Sequence, residues 1–249
     1  NPDDFNISIE AIKKAITPKT KAIIAVDLAG FPCDYDLINE LVKDSEIQGM
    51  FSANNELQEK LNRIIVISDA AHSFGAKMNG QQTGSLTDIT SFSFHAVKNL
   101  TTAEGGALCF NLPEAFDHDE IYKQFCTMIL HGQNKDALAK TQKGNWRYDV
   151  EEPGFKCNMT DLQAAIGLVE LERYQENLDR RKEIFEQYCC WIFPLMFRFD
   201  ELDNQKSRTG YQQRVNAFMA ERMMNIFVLH NKLRVKELPY VLVGNKTRY

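Results

Sequence analysis

Apolar positions in the first half of the chain follow two alternating rhythms. Ile9, Ile12 and Ile16 repeat at helical spacing, with Ser8 placed to cap the helix and Pro18 to block its continuation. Ala22 to Val26 is then an unbroken apolar run, the signature of a strand covered on both faces. Gly30 and Pro32 predict a turn, and Asp36 opens a second helix through Leu37, Ile38, Leu41 and Val42. Arg63 to Ser68 is a second buried strand ending at Asp69, and Ser91 to Phe94 and Ala107 to Phe110 are two more. Strand, helix, strand in this order calls for parallel pairing and an α/β fold. Further on, Thr160 to Gln163 reads as a capping box before one long helix to about Tyr188, carrying Leu162, Ile166, Val169 and Tyr174 on its apolar face. Beyond Trp191 the pattern weakens: Val215 to Met224 reads as helix, Ile226 to Leu229 as strand, and the polar Asp200 to Thr209 as a loop.

Charge and composition narrow the function classes. A chain of 249 residues is long enough to bury a sizeable core. With a net charge of -5 and no long basic run, neither nucleic acid nor an acidic membrane surface is the expected partner. The six cysteines include no C-x-x-C pair, which favours free thiols and a cytoplasmic protein. No metal-ligand spacing, serine-hydrolase elbow, P-loop or dinucleotide fingerprint is present, so no metal is expected.

Candidate chemistry gathers at two segments. Asp69 follows a buried strand, and in an open parallel sheet ligands bind outside the carboxyl ends of strands. A carboxylate there can keep a pyridine nitrogen protonated; the alternative is a carboxylate that caps the following turn. Lys98 lies four residues past Phe94. An amine forms an imine with an aldehyde when it is neutral often enough, a condition that apolar neighbours such as Phe92, Phe94 and Val97 would favour. The competing reading is an ordinary solvated surface lysine.

Flanking sequence favours the chemical reading. Asp69 to Gly75 matches Asp-x-Ala-His/Gln-Ser-x-Gly, with Gly80 and Gly84 following. Phe92 to Gly106 matches Phe-Ser-Phe-x-x-x-Lys-Asn-x-Thr-x-x-Glu-Gly-Gly, and Gly154 to Ala165 matches Gly-x-x-x-Asn-x-x-Asp-x-x-Ala-Ala. Together these resemble the DegT/DnrJ/EryC1/StrS family of sugar aminotransferases, enzymes dependent on pyridoxal 5'-phosphate (PLP), over about residues 1–188. The resemblance implies a fold type I core of three layers around a mostly parallel sheet, with a smaller C-terminal α+β region. It implies that Lys98 forms the covalent link to PLP and shuttles a proton, that Asp69 pairs with the pyridinium nitrogen, and that Ser93 hydrogen-bonds the phosphate. Asn158 matches the residue that reaches the phosphate of the neighbouring subunit, implying a homodimer with a shared active site. His72 matches a position beside the ring, where it would hydrogen-bond or pack; a turn histidine with one satisfied nitrogen is the equal alternative. His95, three residues before Lys98, could be taken for a base, but a structural role is preferred because the lysine already transfers the proton; Glu104 with Gly105 and Gly106 shapes the turn into the next strand, and Trp146 and Tyr148 are candidates for either a substrate channel or packing.

The implied reaction moves an amino group from an amino-acid donor, glutamate by preference, to a keto group on a nucleotide-linked sugar. Residues 1–165 then form the PLP-binding domain, and 166–249 a bridging helix and part of a small domain. Against the family pattern, this chain starts at the helix that follows the first phosphate-binding turn and ring-stacking aromatic, so cofactor retention by the chain alone is expected to be weak. Two other functions fit less well: a noncatalytic paralogue or fragment serving assembly, and a PLP-dependent sugar dehydratase, whose usual histidine is replaced here by Lys98.

Overall fold

The computed structural model describes residues 1, 3–134, 147–202 and 227. Four strands form the main sheet: β1 (Ala22–Val26), β2 (Ile65–Asp69), β5 (Ile89–Ser93) and β6 (Gly106–Phe110), in the order β1-β2-β5-β6. β1 runs parallel to β2, and β2 to β5. β6 is antiparallel to β5, so the sheet is mostly parallel, as expected. A chain that returns through the Phe94 to Gly105 loop without a crossover helix can pair only this way. β3 (Lys77–Met78) and β4 (Gln81–Gln82) make a small antiparallel hairpin.

Helices α1 (Ile9–Ala15), α2 (Tyr35–Lys43) and α3 (Ser45–Met50) cover one face of the sheet, and α4 (Glu56–Leu61) leads into β2. Ser8 caps α1, as its position predicts. Asp34, not Asp36, caps α2, its carboxylate accepting the Leu37 N–H, and this rotation leaves Leu37 exposed while Ile38 and Val42 are buried. With Ile12, Ile23, Ile47, Ile64 and Val66 they form the core. Each fully buried aliphatic side chain there contributes about 1.5–3 kcal/mol.

The other face of β1 is open. Ile23 and Ala25 are buried, but Ile24 and Val26 are 63% and 49% exposed. Coverage on both faces, expected from the apolar run, is therefore not met among the described residues. The run marks two apolar faces; the described helices α1 to α3 occupy one. Because side chains alternate, β-register places Asp69, Ser91 and Ser93 on this open face beside Ile24 and Val26.

At the amino ends of the strands, Arg63 forms a two-pronged ion pair with Asp88, both distances 2.7 Å, and Asp88 also accepts the Val66 N–H at 2.8 Å. The side chains are only 12% and 6% exposed. Breaking such a pair strands a buried cation, so Asp88→Ala is expected to lower stability by about 3–5 kcal/mol, read as a lower denaturant midpoint with an unchanged slope. The exposed Arg180–Glu183 pair should contribute no more than about 1 kcal/mol.

α5 is His118–Ile129. Thr160 and Gln163 then form the expected capping box for α6 (Asp161–Glu172). The single long helix expected here is broken: Arg173, at φ -95° and ψ 2°, separates α6 from α7 (Tyr174–Leu202). Residues 1–174 form one compact unit and 175–249 a second. In the second, Phe227 is helical and buried against Tyr188 and Trp191, contrary to the strand expected over Ile226 to Leu229. Asp200 to Leu202 are helical where a loop was expected; the rest of that loop, the Val215 to Met224 helix and Trp146 lie outside the described residues.

Candidate active site

β2 ends at Asp69, and the chain turns through Ala70, Ala71 and His72 to Ser73. The Asp69 carboxylate accepts the Ala71 N–H at 3.2 Å, and Ser73 N–H donates to Ala70 O at 3.1 Å. Asp69 is half-buried, and among the described residues no cation pairs with it. That is the state of a carboxylate able to take a ligand cation.

The parallel neighbour β5 delivers the lysine. Its end runs into a loop closed at the base by Phe94 N–H to Gly105 O (2.8 Å) and Thr102 N–H to Phe94 O (2.9 Å), with a turn from His95 to Lys98 at its tip. Leu100 and Thr102 are buried and anchor it. The return into β6 needs glycine: Gly105 sits at φ 151°, and a Cβ on Gly106 would meet Phe92 O at 2.5 Å. Lys98 Nζ lies 2.7 Å from His72 Nε2. An ammonium only donates, so to a charged Lys98 the Nε2 of His72 is the acceptor. The apolar surround expected for Lys98 is not made by the named neighbours. Val97 is 78% exposed, while Phe92 and Phe94 pack edge-on against Phe74 at centroid distances of 5.2 and 5.6 Å.

Ser93 Oγ accepts the His95 N–H at 3.4 Å, leaving its own hydrogen available to an acceptor. His95 Nε2 lies 3.7 Å from Glu104 at the surface. Among the described residues Asn158 hydrogen-bonds none of Asp69, His72, Ser93 and Lys98. Its side chain contacts Lys156 Nζ and Met159 O, and it lines a groove of about 710 Å³ between β5, β6 and α5 with Ser91, Gly105, Gly106, Tyr122 and Cys126. Tyr148 is partly exposed, at 46%.

One group escaped the sequence reading. Asp27, 1% exposed, directly follows β1 where Asp69 is the last residue of β2, and an acid at the carboxyl end of a predicted strand was the available signal. Its carboxylate accepts Tyr35 O–H (2.5 Å), Cys33 N–H (3.2 Å), Ser73 O–H (2.5 Å) and Ser68 O–H (3.3 Å). Tyr35 Oη also lies 2.7 Å from Ser68 Oγ, so Tyr35 divides its single hydrogen between Asp27 and Ser68, while Ser68 donates its own to Asp27. Burial first, then the bond to Asp27, pushes the Tyr35 hydroxyl far above its usual pKa, and burial likewise raises the Cys33 thiol. Hydrogen bonds to a buried carboxylate are worth about 1.5–3 kcal/mol each. The six cysteines are free, no group of three metal-ligating side chains occurs among the described residues, and none of their helices is long and apolar enough to cross a membrane.

A carboxylate and a lysine amine held at the ends of adjacent parallel strands define the class: the chain is an α/β protein built like the PLP transferases of fold type I. The family model described as the DegT/DnrJ/EryC1/StrS aminotransferase family matches residues 1–211, and the chain belongs to that family. It is 36% identical over 189 residues to the spore coat polysaccharide biosynthesis protein SpsC of Bacillus subtilis, covering 75% of this chain and 43% of SpsC. It is 38% identical over 187 residues to the uncharacterized protein MJ1066 of Methanocaldococcus jannaschii, covering 75% and 42%. The putative sugar aminotransferase Spr1654 of Streptococcus pneumoniae, in its PMP form, superposes with a TM-score of 0.70 at 48% identity, covering 76% of this chain and 47% of that one. Helicobacter pylori PseC, an aminotransferase involved in the biosynthesis of pseudoaminic acid, superposes at 0.57 with 27% identity, covering 77% and 43%. The chain thus spans somewhat less than half the length of these relatives. PLP is the family's cofactor, and Spr1654 is also known in a PLP form.

Proposed function

We propose that this chain is the cofactor-binding part of a PLP-dependent aminotransferase that moves an amino group from glutamate to the keto carbon of a nucleotide-linked sugar. The observation that carries the reading is the meeting of Lys98 with His72, three residues beyond an Asp69 that has no cation partner among the described residues. The donor set suits PLP: an amine for the aldehyde, a carboxylate for the ring nitrogen and a free hydroxyl hydrogen for the phosphate. When bound, PLP supplies an electron-withdrawing ring that stabilises negative charge on the substrate carbon. Lys98 would hold the aldehyde, and its amine, once released, would move the proton at that carbon. Asp69 would keep the proton on the ring nitrogen, Ser93 would donate to the phosphate, and His72 Nε2 would orient the Lys98 amine. Asn158 is assigned to the phosphate of a second subunit's site, which makes the working enzyme a homodimer. Free thiols favour a cytoplasmic setting. The large domain is taken as residues 1–165, with the rest bridging to a small domain. A sugar substrate is favoured by the names that SpsC, Spr1654 and PseC carry.

The test is the half-reaction. Mixing glutamate with PLP-loaded full-length protein is expected to bleach the visible band and release one 2-oxoglutarate per site, and a nucleotide-linked keto sugar should restore the colour. A band indifferent to every amino-acid donor would remove transamination and favour a noncatalytic role.

A further inference from the structure

We infer that Asp27 is a positioning residue: it grips both ends of the Asp69 to Ser73 turn and so fixes Asp69 and His72 relative to each other. This rests on the roles just proposed for those two residues. The backbone N–H of Asp27 donates to Asp69 O at 3.1 Å, and its carboxylate receives the Ser73 hydroxyl at 2.5 Å. Between the two grips lie only Ala70, Ala71 and His72.

The grip is rigid because Asp27 is itself immobilised. Its donors come from β2 (Ser68), the entry to α2 (Cys33 and Tyr35) and the turn, so the carboxylate has no second orientation that satisfies them. All of them are neutral, and Asp27 takes part in no ion pair among the described residues. Further ties act on the same turn. Thr83 O–H donates to Ser73 O at 2.6 Å, and Asn99, next to Lys98, donates to His72 O at 3.2 Å. A Cβ on Gly30 would lie 2.7 Å from His72 O, so the chain just past Asp27 is shaped to the turn. Residues that orient a binding group from behind commonly change affinity about 10- to 100-fold when altered, as outer partners of metal ligands do.

The experiment compares Ser73→Ala, Asp27→Asn and Asp88→Asn in the full-length protein. Asp88→Asn perturbs a buried network at the far end of the same strands and serves as the stability control. Hydrogen exchange of the cofactor-free protein is expected to quicken across Asp69 to Ser73 in the first two variants and not in the third. PLP affinity, titrated by the visible band below the unfolding temperature, should fall about 10- to 100-fold in the same two. Asp88→Asn should change it less than about twofold, and Ser73→Thr, which restores the hydroxyl, should recover much of the loss. Should Asp27→Asn not fold, Ser73→Ala carries the test. Unchanged exchange in the turn, or affinity that only tracks stability as in Asp88→Asn, overturns the inference. If wild type takes up no PLP while turn exchange still responds as expected, the proposed function fails and the gripping of the turn stands.

Discussion

Lys98→Arg in the full-length protein is expected to abolish the visible PLP band and reduce amino transfer by about 10²–10⁴-fold from lost proton transfer alone. Arginine keeps the positive charge and can still donate to His72 Nε2, so the loop should remain seated. Its guanidinium is never neutral in a protein, however, and neither adds to an aldehyde nor accepts the substrate proton. Free PLP could still occupy the site through Asp69 and Ser93. Normal turnover by this variant would show that the amine has no chemical role.

Asp69→Asn is the second large effect. A nearby carboxylate raises the pKa of a pyridine nitrogen, typically by about 1–3 units, and each unit is 1.36 kcal/mol of preference for the charged ring. Asparagine fills the same space without the charge. The ring nitrogen then loses its proton at lower pH, and turnover at neutral pH should fall about 10- to 10³-fold. The sign follows: the raised pKa keeps the ring protonated to higher pH in wild type, so the deficit grows as pH rises and shrinks as it falls. A deficit of equal size at every pH would point to lost packing instead.

What was legible in the chain depended on how local its cause is. Ser8, Thr160 and Gln163 cap helices through bonds three residues away, so their roles could be read directly. β2 and its terminal Asp69 were equally plain, since a short apolar run closed by an acid needs no partner to recognise. Coverage of β1 was misread because an apolar run records what a strand can bury, and the described helices cover only one of its faces. The break at Arg173 was missed for a related reason: the stretch is apolar or charged throughout, with no proline or glycine to mark a stop between Val169 and Tyr174.

At the site, the family resemblance named Asp69, Ser93 and Lys98 together, and the structure adds that the strands leading to them, β2 and β5, are parallel neighbours. The contact of Lys98 with His72 joins residues 26 positions apart and could not be read from either segment alone. Nor could the Asp27 network, whose partners are spread over 46 positions. Val97 shows the opposite error: an apolar neighbour in sequence that faces solvent on a loop tip.

The central claim is that one primary amine of this chain holds the PLP aldehyde. Reducing the PLP-loaded full-length protein with borohydride, digesting it and mapping the pyridoxyl group tests this directly. The account predicts the group on the peptide that contains Lys98, with none elsewhere. A pyridoxyl group on any other lysine, or no incorporation at saturating PLP, would contradict it.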